Sequence, residues 1–203
     1  MVAAFRPMRG PLSTRETQQY MSTKVSVYVA TSLDGFIARD DGGLDWLNEA
    51  NATVPNGEDC GFHAFMDSVD TVILGRTTYE QVLSFGRWPY GRTPVVVLSR
   101  SSISFPPSVP DTVTHSSEPP RDLLKRLSDE GAKHVYVDGG MTIQGFLSAG
   151  LVDEITVTVI PVILGGGIPL FGSIDNDIQL THVRTTAFGF GFVQTTYSVA
   201  KDA

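Results

Sequence analysis

The sequence predicts an α/β fold: one mixed, mostly parallel sheet with helices on both faces and a C-terminal antiparallel hairpin. Short β-branched segments alternate with helical segments along most of the chain, which is typical of parallel strands joined by crossover helices. Two strand-like segments, 179–186 and 192–199, then flank a turn at Gly189 and Gly191 and predict the hairpin. We expect helices on both faces because parallel strands bury both sides.

Length and composition indicate one globular domain of 203 residues, with 41% hydrophobic and 18% charged residues. The net charge of −7 argues against nucleic-acid or anionic-membrane partners, and the single cysteine, Cys60, is compatible with a reducing cytoplasm. No apolar run approaches the roughly 20 residues that span a bilayer. Residues 1–20 lack periodicity and an apolar block, so we expect a disordered extension followed by one domain over 21–203.

The first part of this domain begins with a strand at 24–31, a turn, a short extended segment at 36–38 and a glycine-rich loop. One or two helical turns follow around Trp46, which either covers a pocket or plugs the edge of the core. From residue 59 a helix is predicted, because four apolar side chains fall at i, i+3, i+4 and i+7: Phe62, Phe65, Met66 and Val69. Asp59 lies at the edge of that face, either as a first-turn carboxylate that complements the helix dipole or as a partly buried acid with a raised pKa.

Three later strand ends carry residues suited to phosphate. The strands 71–74, 94–98 and 134–137 are followed respectively by Gly75-Arg76-Thr77-Thr78, by Ser99-Arg100 and by Gly139-Gly140. Free N–H groups at a helix N-terminus favour an anion, and the carboxyl ends of parallel strands meet at one edge of a sheet. The alternatives are that the glycines only punctuate the chain and that Arg76 is a surface charge. A strand at 112–115, helices at 120–130 and 141–149 and a strand at 155–160 complete the pattern.

The chemical motifs of most hydrolases and phosphoryl-transfer enzymes are absent from the sequence. The four histidines are dispersed, and the chain lacks HExxH, CxxC, GxSxG and a Walker loop. No metal site is therefore predicted. A nucleotide-shaped groove with few ionisable groups suits hydride transfer, in which the cofactor supplies the difficult chemistry.

The chain resembles the dihydrofolate reductase superfamily, and within it the reductase domain of the riboflavin-biosynthesis deaminase–reductases and its stand-alone relatives. The resemblance extends from Lys24 to Val199 and rests on these segments: VYVATSLDGFIA, LDWL, FMDSVDTVILGRTTYE, PVVVLSR, VYVDGG and GLVDEITVTVIPVILGGGIPLF. It implies a three-layer fold around an eight-stranded mixed sheet with one antiparallel edge strand. The cofactor that it implies is NADPH.

The resemblance also implies roles for individual residues. Ala30 lies near the nicotinamide, Ser99 and Arg100 lie near the adenosine 2′-phosphate, and the Gly139–Gly140 peptide bond is cis. The remaining implied cofactor contacts surround the phosphates: Gly75, Arg76, Thr77, Thr78, Gly139, Gly140, Met141, Thr142 and Ile143.

On the substrate side the resemblance implies that Trp46, Phe62 and Arg92 contact the ligand, with Arg92 in the place of an arginine that grips a carboxylate. Asp59 corresponds to the acidic residue that assists pterin protonation. Asp138 departs from the dihydrofolate reductase pattern, which has an apolar residue there, and it offers a second candidate for orienting substrate or relaying a proton.

These observations predict a cytoplasmic, homodimeric reductase that passes hydride from NADPH to a small polar substrate resembling a pterin, a pyrimidine or a ribosylamine. The alternative is a non-catalytic nucleotide-binding or dimerisation module that retains the reductase scaffold. Cofactor binding without turnover distinguishes this alternative from the enzyme.

Overall fold

The computed structural model describes residues 23–174 and 176–200, so the predicted extension at 1–20 lies outside the described residues. The strands are β1 (Lys24–Ser32), β2 (Phe36–Ala38), β3 (Thr71–Gly75), β4 (Val95–Leu98), β5 (Val113–Ser116), β6 (His134–Asp138), β7 (Glu154–Ile160), β8 (Ile168–Pro169), β9 (Leu180–Ala187) and β10 (Val193–Val199). The helices are α1 (Asp45–Asn51), α2 (Phe62–Met66), α3 (Arg76–Ser84), α4 (Pro120–Asp129) and α5 (Gly140–Ser148).

The main sheet has eight strands in the order β5-β4-β3-β6-β1-β7-β10-β9. All neighbouring pairs from β5 to β7 are parallel, and β10 runs antiparallel to both β7 and β9. The mixed, mostly parallel sheet and its C-terminal hairpin are therefore confirmed. The resemblance implies that the antiparallel strand is the edge strand, and this is wrong. The antiparallel strand is β10, and β9 pairs on its outer side and forms the edge.

The sheet is covered by helices on both faces, which confirms the three-layer arrangement. Leucines of α4 and the apolar side chains of α5 pack against one face, which includes Val25, Val27 and Ile73. Helices α2 and α3 pack against the opposite face, which we call the α2/α3 face. Strand β1 contributes Tyr28 to this second face because successive strand residues alternate between the two sides.

Helix α2 is shorter than the pattern over 59–69 predicts. Cys60 and Gly61 have φ of 55° and 83°, and this left-handed backbone cannot belong to a right-handed helix. The helix therefore begins only at Phe62. Phe62, Phe65 and Met66 nevertheless pack against the sheet, as their spacing predicts.

The segment after β1 is tied to the glycine-rich segment before β8. The Asp34 carboxylate accepts hydrogen bonds from the backbone N–H groups of Leu164 at 3.1 Å and Gly165 at 2.7 Å. Hydrogen bonding from Ser32, Gly165 and Leu164 lowers the pKa of Asp34 to about 2. Strand β2 then pairs antiparallel with β8, so these two segments form one small sheet beside the carboxyl ends of the main strands.

None of the helices in the described part of the chain is both long and apolar enough to cross a membrane. The same residues contain no group of three or more His, Cys, Asp or Glu side chains placed to hold a metal ion.

Candidate active site

Two helix N-termini meet at the carboxyl edge of the central strands. Helix α3 follows Gly75 and helix α5 follows Gly139, and neither glycine has a side-chain capping bond. A Cβ atom on Gly139 would lie 2.1 Å from Thr78 Oγ1, and one on Gly75 would lie 2.6 Å from Thr142 Oγ1. Each glycine thus packs against a threonine from the first turn of the other helix, and a side chain at either position would displace the facing threonine hydroxyl.

This convergence is chemically suited to an anion. The first N–H groups of a helix have no partner within the helix, and its N-terminus carries partial positive charge. Thr77 is exposed and Thr78 is half-buried, so hydroxyls are present beside these amides. Arg76 is exposed and forms an ion pair with Glu80 at 2.8 Å. The structure brings together the Gly75–Thr78 and Gly139–Thr142 segments that were predicted separately.

The residues at the start of α5 differ in what they expose. The Met141 side chain is 86% exposed, whereas Gly140 is buried against Ile37 and Pro169. The Ile143 side chain is fully buried in the core, and its backbone N–H donates to Gly139 O at 2.9 Å. Ile143 therefore supports the helix and presents no free group at its N-terminus.

Ser99 and Arg100 lie at the same edge of the sheet. They follow β4, which is parallel to β3 and adjacent to it. The loop is fixed by a hydrogen bond between His115 Nε2 and Ser99 O at 2.8 Å and by one from Ser101 N to Ser99 Oγ at 3.1 Å. Arg100 is exposed, and within the described residues no carboxylate forms an ion pair with it. Its guanidinium is therefore available to a further phosphate.

Asp138 is the carboxylate closest in sequence to the paired glycines. Burial raises the pKa of this carboxyl, and the hydrogen bond from Gly139 N, at 2.8 Å, and the neighbouring Tyr136 and Tyr90 hydroxyls partly offset the increase. Burial, together with the Asp138 charge, raises the pKa of both tyrosines well above the usual value. Asp138 can therefore hold a proton at higher pH than an ordinary aspartate.

Asp59 has the opposite environment, and the raised pKa considered for it is wrong. Its carboxylate accepts hydrogen bonds from the N–H groups of His63 and Gly61, both at 2.8 Å, and from the His63 imidazole. These bonds, that from His63 N first, lower the pKa of Asp59. Asp59 therefore stabilises the start of α2, which is the first of the two interpretations that the sequence allowed.

The predicted substrate residues Trp46 and Phe62 lie on the α2/α3 side of the sheet, whereas Arg92 does not join them. Trp46 is 4% exposed and belongs to a cluster that includes Ala30, Ile160 and Phe192. The Phe62 ring lies 5.9 Å from the ring of Tyr28 and 6.5 Å from that of Tyr136.

The structure does not bring Arg92 to the carboxyl edge. Strand β4 begins three residues later, at Val95, so Arg92 lies at the amino end of that strand. Its side chain is exposed and pairs with Asp111 at 3.2 Å. The implied cis bond is also absent, because the described residues contain no cis peptide bond.

Several residues of this region were missed at the sequence level. The Nε2 of Gln194 in β10 carries two hydrogens and lies within hydrogen-bond distance of three acceptors: the Tyr28 hydroxyl at 2.8 Å, Cys60 O at 2.9 Å and Thr158 Oγ1 at 3.0 Å. The Tyr28 hydroxyl also bonds to Cys60 O, and the Tyr136 hydroxyl donates to Tyr28 O at 2.9 Å. Polar residues at alternate positions of the last strands, such as Thr156, Thr158, Gln194 and Thr196, were the available signal.

The fold is that of a dihydrofolate reductase-like protein, with two glycine-preceded helix N-termini at the carboxyl edge of its sheet and a network of polar side chains on the α2/α3 face. The profile of the RibD C-terminal domain family matches residues 23–194, and the chain belongs to that family. It is 38% identical over 171 residues to the uncharacterised protein YwjB of Bacillus subtilis, covering 83% of this chain and 94% of that protein.

Two solved structures extend the comparison. A Shewanella sp. PV-4 protein named for riboflavin biosynthesis is 39% identical, with a TM-score of 0.82, and the match covers 88% of this chain and 100% of that one. Dihydrofolate reductase of Enterococcus faecalis, solved with NADP(H), has a TM-score of 0.59 over 88% of this chain and 97% of its own. At 17% identity, the second likeness concerns the fold alone.

Proposed function

We propose that this protein is an NADPH-dependent reductase of a small polar substrate that resembles a pterin, a pyrimidine or a ribosylamine. The observation that carries the proposal is the convergence of two glycine-capped helix N-termini, at Gly75 and Gly139, where side chains would clash. Two positive helix ends at one point suit the diphosphate of a dinucleotide.

The residues at this edge fit such a cofactor. The first-turn amides of α3 and α5, with Thr77 and Thr78, would hold the diphosphate, and Arg76 would leave Glu80 to pair with it. Ser99 and the unpaired Arg100 would hold the 2′-phosphate that distinguishes NADPH from NADH. Ala30, which packs in the Trp46 cluster, would lie beside the nicotinamide. When bound, NADPH supplies the hydride that the chain itself cannot provide.

Asp138 takes the proton-donating role in this proposal. Reduction of a C=N or C=O group requires a proton as well as a hydride, and an acid whose pKa is raised by burial retains that proton to higher pH than an ordinary aspartate does. Trp46 and Phe62 would form apolar walls of the substrate site and exclude water from it. Asp59 would act on this site only indirectly, by fixing the turn at Cys60.

We also propose that the protein is a cytoplasmic homodimer. All eight residues of the edge strand β9 are exposed, and an unpaired edge strand of this length is available for association with a second copy. The single cysteine suits a reducing compartment. Light scattering should give twice the chain mass, and a monomer at micromolar concentration would refute the dimer.

Cofactor titration tests the proposed function. Nicotinamide fluorescence should show submicromolar to micromolar binding of NADPH, and Arg100→Ala should weaken NADPH about tenfold while leaving NADH unchanged. Arg92→Ala is the matched control, because it removes an exposed arginine from the opposite end of β4. Failure of the wild type to bind NADPH at submillimolar concentration would reject the proposal. Binding without turnover of dihydrofolate or of a ribosylaminopyrimidine would favour the non-catalytic module.

A further inference from the structure

We propose that the side-chain carbonyl of Gln194 binds an N–H group of the substrate and thereby selects among substrates. The inference rests on the proposed function, because it takes the region beside Ala30 as the place where substrate meets the cofactor. It concerns a residue on the last strand, remote in sequence from every glycine and aspartate of the site.

The position of Gln194 follows from the register of three adjacent strands. Ala30 of β1 pairs with Thr158 of β7, and Thr158 pairs with Gln194 of β10. Neighbouring strands lie about 4.8 Å apart, so Gln194 lies two strand spacings, roughly 10 Å, from Ala30. The Thr158 and Gln194 side chains are on the same face, because Gln194 Nε2 bonds to Thr158 Oγ1 at 3.0 Å. The separation of roughly 10 Å between Ala30 and Gln194 is suited to a small heterocycle.

The orientation of the Gln194 amide is determined by its partners. Cys60 O can only accept a hydrogen bond, so the atom 2.9 Å from it must be the NH₂ nitrogen of Gln194. The Tyr28 hydroxyl donates to the same carbonyl and accepts from Gln194. The other end of the amide, Oε1, is left without a hydrogen-bond partner among the described residues.

An amide carbonyl in this position favours a ligand that donates a hydrogen bond. The Gln194 residue is only 6% exposed, yet its Oε1 does not belong to the fully buried polar atoms that lack a partner, so this carbonyl oxygen remains accessible to a ligand. A second polar atom in the neighbouring cluster, Trp46 Nε1, is buried and also lacks a partner. Of these two unpaired atoms, the Gln194 carbonyl oxygen is the accessible one, so the group that the site recognises is an N–H of the ligand.

Gln194 also braces the left-handed turn at Cys60, so the test must separate that structural role from recognition. The recognition role requires only Oε1, whereas the bracing role uses only Nε2. Gln194→Met keeps the length of the side chain and removes both groups. Thr196→Val is the matched control, because Thr196 is a buried polar residue of the same strand and face that bonds to Thr156 Oγ1 at 2.9 Å.

The experiment compares the binding of pterin and of 3-methylpterin to NADP⁺-saturated protein by fluorescence anisotropy. Wild type and Thr196→Val should bind pterin about tenfold more tightly than 3-methylpterin, because methylation removes the N–H group that donates a hydrogen bond to Gln194 Oε1. Gln194→Met should bind both compounds within twofold of each other. The NADPH affinity of Gln194→Met should remain that of the wild type, and its melting temperature reports any loss of bracing.

Two outcomes would overturn this assignment of Gln194. One is that Gln194→Met keeps the tenfold preference, which would leave Gln194 with its bracing role alone. The other is that the cofactor-saturated wild type binds pterin no better than 3-methylpterin, or binds neither. Failure of the wild type to bind NADPH is a separate result, which rejects the proposed function itself.

Discussion

Asp59 and Asp138 lie on the same face of the sheet, but their surroundings shift their pKa values in opposite directions. Asp59 is at the open start of a short helix and is surrounded by hydrogen-bond donors, so its ionised form is favoured. Asp138 is half-buried at the end of a central strand, where loss of solvation outweighs the hydrogen bond that it accepts from Gly139 N. Both were candidate acids at the sequence level. Only the second has an environment that retains a proton.

The largest expected difference between the two regions is catalytic. Asp138→Asn should lower kcat by roughly 100-fold or more, because a general acid contributes about 10²–10⁴ to rate. Asp59→Asn should change kcat less than about threefold, since asparagine also caps the start of a helix. Steady-state oxidation of NADPH measures both variants. Equal losses in the two variants would remove the distinction between these aspartates.

The pH dependence of the rate sharpens the same contrast. If protonated Asp138 donates the proton, kcat should fall as pH rises through its raised pKa, approaching tenfold per pH unit. The Asp138→Asn variant should lack this decrease, whereas Asp59→Asn should retain it. A wild-type kcat that does not fall anywhere above pH 3.8 would contradict the assignment of Asp138 as the acid.

A smaller effect is expected on the stability provided by Asp59. Asp59→Ala removes two hydrogen bonds to backbone N–H groups and should lower the free energy of unfolding by about 1 kcal/mol. Because the folded-state pKa lies below 3.8, this contribution is present above that pH and is lost as pH falls through the lowered value. Urea unfolding at pH 7 and pH 3 measures it. If the free energies of unfolding of the wild type and Asp59→Ala differed by the same amount at pH 7 and pH 3, ionisation of Asp59 would have no part in the stabilisation.

The smallest expected effect is on the stability contributed by Asp138, whose pH dependence is opposite to that of Asp59. The pKa of Asp138 is raised above 3.8 in the folded state, so its contribution to stability is greatest below that value and declines as pH rises through the raised pKa. Asp138→Asn should therefore gain stability relative to the wild type as pH rises from 3.8 through that raised pKa. Denaturation curves of the two proteins across that range check this trend. A difference that is constant with pH would contradict the proton-retaining carboxyl.

The sequence predicted the strands and helices closely because each carries a strong local pattern. Strand β3 is a β-branched run that ends at a glycine, and α4 opens with a proline and has three inward leucines. The start of α2 was predicted too early, since periodicity does not report the left-handed backbone at Cys60 and Gly61. Arg92 was also misplaced. The resemblance assigned it to the ligand, although the strand predicted at 94–98 already puts Arg92 at the amino end of β4.

The sequence by itself determined the α/β fold and the three phosphate-suited strand ends, because glycines, β-branched runs and helical spacing are local properties of the chain. Only the tertiary structure decided that Thr78 meets Gly139 and Thr142 meets Gly75. It likewise decided which aspartate retains a proton and aligned Gln194 with Ala30. These features depend on burial and on contacts between segments that are distant in sequence, and such contacts exist only once the sheet has assembled.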